Sequence, residues 1–359
     1  MKKLVILGAG CAGTMVANNL CKKLDRNEWS ITIIDKNDQH LYQPGLIFIP
    51  FGMYKPEEIV RTRSEFISKG IKFVVDEIIG VDTEAQLVET TAGKYEYDKI
   101  IVCTGVSLAP EEIPGMMDGW QSKVFDFYTL EGAVNLEKKM RSFKSGKLVL
   151  DIAEFPFKCP VAPLEFVYLA DWYFTERGVR DDIEIHFVTP MTGSFTKPKA
   201  SAYFSKMMKE KYIKVTAYFI LAEVDCTNNK LISAAGDEID WDLLVSIPPN
   251  VGARYLVNSE VAMDEVGYVK TNNHTLQAEN HKNMYVLGDN ATLPTSKAGS
   301  VAHFSAEIMI ENFLREINGE PVRPDYDGHS NCFIETGFGK ASLIDFNYEY
   351  EPLPGKFPL

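Results

Sequence analysis

A short apolar run, KLVIL, breaks directly into Gly8, Gly10 and Gly13, and apolar residues then recur at helical spacing through Met15, Val16 and Leu20. A second apolar run, SITIID, ends on Asp35, about twenty residues beyond the last glycine. Strand, glycine turn, helix and second strand closed by an acid predict a β-α-β unit that receives a dinucleotide. Gly8 permits the tight turn and Gly10 lets backbone approach a pyrophosphate. Gly13 lets the helix pack close, and Asp35 accepts from a ribose hydroxyl.

The chain repeats part of this plan. LVETTAGKYEYDKIIVCTG (87–105) and LISAAGDEIDWDLLVSIPP (231–249) share a strand, a glycine turn, an aromatic just before an aspartate, and a second apolar strand. If the two halves are related, the second copy begins at KLVLDI (147–152). It then passes through a helix near Pro163–Arg177, stopped by Gly178, into the strand IEIHFV (183–188). Its first turn reads EFPFKCPVAP, without glycine, and its second strand ends in Thr-Pro instead of an acid. This copy is not expected to hold NAD(P)H.

With 359 residues there is room for two domains, and no run of eighteen apolar residues predicts a membrane span. A net charge of −13 repels a phosphate backbone, so nucleic acid is not an expected partner. The N-terminal apolar run is too short for a secretory signal and reads as the first strand, which places the chain in the cytoplasm. Six scattered cysteines lack the close spacing of a metal site, so no metal is expected and most should be buried small hydrophobes.

Further on, NMYVLGDNA (283–291) is a strand ending in Gly288 and Asp289, and residues 296–317 read as a capped helix. Cys332 lies in NCFIETGFGKASLIDF, two strands around a GFG turn.

The combination GAGCAG, IID, IIVCTG and MYVLGD resembles the two-dinucleotide-binding-domain flavoproteins. HLYQPGL (40–46), the cysteine in EFPFKCPVAP, SKAG after GD and the late isolated cysteine narrow the resemblance to sulfide:quinone oxidoreductases and the related flavocytochrome sulfide dehydrogenases. The resemblance spans nearly the whole chain. It implies an α/β fold of two Rossmann-like, glutathione-reductase-like domains with a short C-terminal β segment. An FAD domain would take residues 1–115 and 270–325, the second domain 116–269 and the C-terminal segment 326–359.

By the same resemblance, Gly8, Gly10, Gly13 and Asp35 bind the ADP half of FAD. Thr104, Gly105 and Gly288 pass close to the cofactor, and Asp289 meets its ribityl or pyrophosphate region. Lys297 and the amides opening the helix at Gly299 face the flavin pyrimidine, where a helix N-terminus and an ammonium stabilise the charge of the reduced ring. Cys159 and Cys332 match the redox pair: hydrosulfide opens it, sulfur accumulates on Cys159, and Cys332 passes two electrons to the flavin. Lys158 and the helix after Cys159 are expected to lower that thiol's pKa.

This sequence departs from the pattern in places. It lacks the third cysteine many members carry near SKVFDFYTLEG (122–132), and it has no cysteine near HLYQPGL for covalent flavin, so FAD is expected to be non-covalent. The tail NYEYEPLPGKFPL offers little apolar area for a membrane. Weak peripheral contact on the cytoplasmic face through Phe346, Tyr348 and Tyr350, a soluble acceptor, and homo-oligomer formation all stay open. His303 reads as a packing residue sooner than a proton relay, and Cys11 is assigned no chemistry. Rival readings are an NAD(P)H-linked flavin reductase, a flavocytochrome-type dehydrogenase and a non-catalytic flavin redox sensor.

Overall fold

A computed structural model describes residues 1–353, and residues 354–359 of the tail lie outside the described residues. Two parallel five-stranded sheets organise the chain. The first begins with β1 (Lys2–Leu7), α1 (Cys11–Lys23), β2 (Trp29–Asp35), β3 (Ile71–Val75) and β4 (Lys99–Val102). β1 pairs in parallel with β2 on one side and β4 on the other, so its apolar run is covered on both faces. Leu4, Ile6 and Leu7 are fully buried.

The second sheet contains β5 (Val124–Phe125), β6 (Gly146–Ile152), β7 (Ile183–Val188), β8 (Lys214–Thr216) and β9 (Leu243–Ile247), in the order β5-β9-β6-β7-β8. Helices α2 (Leu130–Ser142), α3 (Ala162–Glu176) and α4 (Pro198–Glu210) lie between its strands in sequence. The chain then returns to the first sheet: β10 (Met284–Val286) pairs with β4, giving the order β10-β4-β1-β2-β3, and leads into α5 (Gly299–Ile317). A hairpin of β11 (Ser330–Gly337) and β12 (Lys340–Phe346) ends the described fold.

The internal repeat is real at this level. Residues 87–90 and 94–96 form a three-stranded meander with 78–82 just before β4, and 230–233 and 238–240 form one with 221–225 just before β9. Three sequence expectations need correction. Residues 296–298 stay extended and α5 starts at Gly299 after Ala298, with no side-chain cap, because Lys297 is engaged in bridging to Lys158. Tyr255, Leu256, Val261 and Val269, expected in the second domain, pack into the first sheet's core because the helical turn Arg254–Asn258 lies on its meander. Phe346 is buried against Phe195, and Tyr348 packs on Tyr326 and His274, so both are core aromatics and only Tyr350 is exposed.

The two cores are tied by the segment that contains HLYQPGL. It forms a short strand, Gln39–Leu41, and a 3-10 turn, Gln43–Phe48, which sends Ile47 and Phe51 into the second core. Phe51 meets Phe166 and Tyr173 of α3 at ring-centroid distances of 5.3 and 5.7 Å. A two-stranded ribbon of Val106–Leu108 and Asn250–Gly252 makes a second crossing. No helix among the described residues is long and apolar enough to cross a membrane.

Candidate functional site

The glycine turn is built as its sequence requires. Gly8 sits at φ +90°, and a Cβ there would lie 2.6 Å from the Cys103 carbonyl oxygen; one at Gly13 would lie 1.9 Å from that of Gly8. Both glycines therefore allow backbones to touch. At Gly10, Gly105 and Gly299 a Cβ would meet no atom within 4 Å, so these three line open space at the ends of β1, β4 and the opening of α5. The first turns of α1 and α5 contain no acid and no side-chain cap, and their free amides remain available to an anionic or electron-rich ligand. These features fit the diphosphate and pyrimidine of a flavin dinucleotide.

Asp35 closes β2 as expected, and its Oδ2 accepts from the Ala9 amide at 2.8 Å, which ties it to the glycine turn. The same oxygen pairs with Arg63, which sequence reading missed. Arg63 stands in no motif, and only the pairing of Gln39–Leu41 with Val60–Thr62 delivers it there. Thr104 donates to Asn290 Oδ1 at 3.3 Å, and Asn290 donates to the Gly105 carbonyl at 2.7 Å. The ends of β4 and β10 are thereby locked side by side, with Gly288 at φ +75° in the turn between β10 and Asp289. Burial pushes Asp289 up, opposed by the Lys297 and Lys158 ammonium groups. Lys297 donates to the carbonyls of Asp289 (2.8 Å) and Ala291 (3.0 Å), lies over the Tyr268 ring, and is pushed down to about 8 by burial.

Where the second copy has no glycines, residues 153–161 form an irregular loop of bends and a turn. The Lys158 amide donates to Asn250 Oδ1 at 3.1 Å, the Cys159 amide to the Lys297 carbonyl at 2.6 Å, and Tyr128 OH to the Cys159 carbonyl at 3.1 Å. Held from three sides, Cys159 adopts φ +51°, a left-handed conformation costing a non-glycine residue about 1 kcal/mol or more. Such strain persists only where surrounding contacts over-determine it.

Cys332 arrives on β11, which packs against α3 and α5. Gly337 permits that approach: at φ +74°, its Cβ would lie 2.7 Å from Trp172 Cβ and 2.9 Å from the Tyr168 carbonyl. The Glu335 amide donates to Glu165 of α3 at 3.1 Å and pins the hairpin. Cys159 and Cys332 are both half-buried free thiols packed on the second core, and each raises or feels the charge of its neighbours here. The fold thus gathers Cys159, Cys332, Lys297, Asp289 and Gly299 around the opening of α5, with Gly8, Gly10, Gly13, Asp35, Thr104, Gly105 and Gly288 along the first sheet's edge.

One expectation fails. Lys158 and the following helix do not lower the Cys159 pKa. Burial pushes that thiol well up, the Glu165 carboxylate and the Cys332 sulfur add to it, and only the Ala162 amide opposes. Lys158 is itself desolvated, and burial pushes it down. Cys332 is raised to about 11 by burial and Glu165, with Ser300 beside it holding it down. Glu165, lifted to about 7 by burial, is a second residue that sequence reading missed. It lies six positions after Cys159, which is a signal only once α3 is known to start at Ala162. His303 is exposed beside Glu307 on α5, and Cys11 is exposed at the start of α1.

Comparison with known proteins gives the same picture. Residues 2–149 match the Pyridine nucleotide-disulphide oxidoreductase family. The mitochondrial sulfide:quinone oxidoreductase of Dictyostelium discoideum is 28% identical over 355 residues, covering 97% of this chain and 78% of that protein. Over nearly its whole length the chain is similar to sulfide:quinone oxidoreductases. The solved sulfide:quinone oxidoreductase of Aquifex aeolicus superposes with a TM-score of 0.82 at 20% identity, covering 97% of this chain and 84% of that one. A type II NADH:quinone oxidoreductase of Staphylococcus haemolyticus is 34% identical, but over 118 residues, 33% of this chain and 29% of that protein. The similarity supports an FAD-dependent oxidoreductase, and the open glycine-lined edge of the first sheet fits that cofactor.

Proposed function

We propose that this chain oxidises sulfide to sulfane sulfur at Cys159 and Cys332 and delivers two electrons through FAD to a quinone. The observation that supports this reading is that Cys159, bonded through its amide to the Lys297 carbonyl, and Cys332, on a strand packed against α5, share one buried environment in which the charge of Cys332 is felt at Cys159. In this reading the FAD domain comprises residues 1–115 and the stretch from about Arg254 to 325, whose Tyr255, Leu256, Val261 and Val269 join its core, the second domain takes the residues between, and the hairpin segment from 326 brings the second thiol to it.

In the resting oxidised state the two sulfurs form one bond. Hydrosulfide attacks the Cys159 sulfur, the bond between the cysteines breaks, and Cys332 leaves as a thiolate while Cys159 keeps the added sulfur as a persulfide. The hydrosulfide proton passes to Glu165, whose pKa near neutrality lets it accept and later release that proton. Non-covalently held FAD, when bound, supplies the two-electron acceptor for this chemistry. Gly8, Gly10 and Gly13 admit its diphosphate, Asp35 and Arg63 its ribose, and Lys297 its pyrimidine edge. Lys297, pushed down to about 8, is poised to hold or give a proton there.

Adding sulfide without oxygen to the FAD-loaded protein should bleach the flavin, and Cys159→Ser and Cys332→Ser should each abolish the bleaching. Bleaching that survives in both variants would overturn the mechanism. The NAD(P)H-linked reading is opposed by residues 153–161, which fill the second copy's nucleotide turn with Phe157 and Cys159. Bleaching by NADH but not by sulfide would replace our reading with that one.

A quinone resides in a bilayer, so peripheral contact with the cytoplasmic membrane face belongs to this proposal. Phe333, next to Cys332 and 74% exposed, and Phe155, 50% exposed, are apolar side chains placed to make it. Flotation with phospholipid vesicles should carry the protein, and Phe333→Ser should weaken it.

A further inference from the structure

Ser300 is the second residue of α5, and its hydroxyl is buried with no hydrogen-bond partner of good geometry. A serine inside a helix ordinarily donates back one turn, as Ser305 does to the Val301 carbonyl at 2.6 Å. At the second helical position no earlier turn exists to receive that bond, and the capping position is held by Ala298. Leaving a buried hydroxyl unsatisfied is costly, so such a group calls for an acceptor that is present in some state of the protein. The group it lies beside is the Cys332 sulfur.

Resting on the proposed function above, we propose that Ser300 is the positioning residue of the Cys332 thiolate: its hydroxyl donates to that sulfur when it is ionised, and so selects which cysteine bears the charge. A neutral thiol is a poor acceptor, which accounts for the unclosed bond in the reduced, protonated pair. A thiolate is a strong one, and a charge-assisted bond to it is about twice as strong as a neutral bond.

The surroundings of the two sulfurs differ. Cys332 faces Glu165 from α3, Cys159 from the loop 153–161, and Ser300 from α5; its strand partner across the hairpin, Ile344, is apolar. Cys159 faces Glu165, Cys332 and also the Asp289 carboxylate, all of which disfavour its charge, with only the Ala162 amide acting in its favour. Glu165 disfavours charge on both sulfurs, and Ser300 favours it on one. That asymmetry sends the leaving-group charge to Cys332 when the cysteine bond opens and leaves Cys159 to carry the sulfur.

The test uses the FAD-loaded full chain after reduction, alkylated with iodoacetamide across a range of pH and read cysteine by cysteine by peptide mass spectrometry. Ser300→Ala should raise the Cys332 midpoint by about one pH unit, a roughly tenfold slower reaction below the midpoint. Ser300→Thr should restore it, and Cys159 should not move. Thiolate ultraviolet absorbance of the same variants, with the Cys332→Ser protein subtracted, gives the midpoint without reagent access. Identical Cys332 midpoints in the wild type and Ser300→Ala, or equal shifts at both cysteines, would overturn the assignment. No sulfide is used, so failure of sulfide to bleach the flavin would remove the proposed function and leave this result intact.

Discussion

Asp151 is a carboxyl held wholly away from water. It lies in the middle of the second sheet, fully buried, with Oδ2 accepting from Ser246 at 2.9 Å and Oδ1 without a partner. Burial raises its pKa to about 7, with the Ser246 hydroxyl opposing. The folded protein therefore holds this proton more tightly than the unfolded chain, where the value is about 3.9. Its contribution to stability is complete below the unfolded value and is lost as pH rises from about 4 through about 7. Asp151→Asn, isosteric with the protonated acid, should exceed the wild type in thermal midpoint by a margin that grows from about pH 4 to about pH 7 and then levels off. A pH-independent difference would refute this. Ser300, Glu165 and Asp151 were all silent in the sequence, because a hydroxyl or carboxyl has no periodicity and its partner is chosen by packing.

At the scale of elements, glycines report where backbones must touch. Gly13 lets α1 rest on the β1 turn, and Gly337 lets the β11 hairpin rest on α3. The same substitution at the two sites should separate their roles. Gly13→Ala drives a methyl into the Gly8 carbonyl and should yield protein depleted of FAD, read by the flavin to protein absorbance ratio. Gly337→Ala combines a positive φ with overlap on Trp172 and should keep FAD. It should slow diamide-driven bonding of Cys159 to Cys332 by roughly tenfold or more, the equivalent of about 1.4 kcal/mol of misplacement. Equal bonding rates would show that the hairpin position does not depend on that glycine. Gly13 was legible because its motif has a fixed spacing from β1. Gly337 was read only as part of a turn, since nothing local says that α3 lies beneath it.

For the whole molecule, the decisive contact is the one between the two cores. Phe51 leaves the first unit and is 5% exposed in the second, against Phe166 and Tyr173. Phe51→Ala should cost about 3–5 kcal/mol. Because that ring belongs to the seam, the cost should fall on coupling as well as stability. Urea unfolding followed by flavin release and by far-ultraviolet circular dichroism should coincide in the wild type and separate in the variant; coincidence in both would place the coupling elsewhere. The cysteine site lies on the same seam, so bleaching by sulfide should slow in this variant while FAD is retained.

The sequence by itself determined the two β-α-β units, the dinucleotide turn, the acid at the end of β2 and the meander repeat. Each is written in residues close together in the chain, where periodicity and glycine spacing act directly. The loss of the second turn's glycines at EFPFKCPVAP was equally plain. Tertiary structure decided what that loss was for. Only packing of α3, α5 and the β11 hairpin brings Cys159 and Cys332 into one buried environment, sets Glu165 and Ser300 to act in opposite senses on the Cys332 sulfur, and desolvates Lys158. Charge and proton affinity depend on distance and dielectric, and neighbours in space from distant parts of the chain set both.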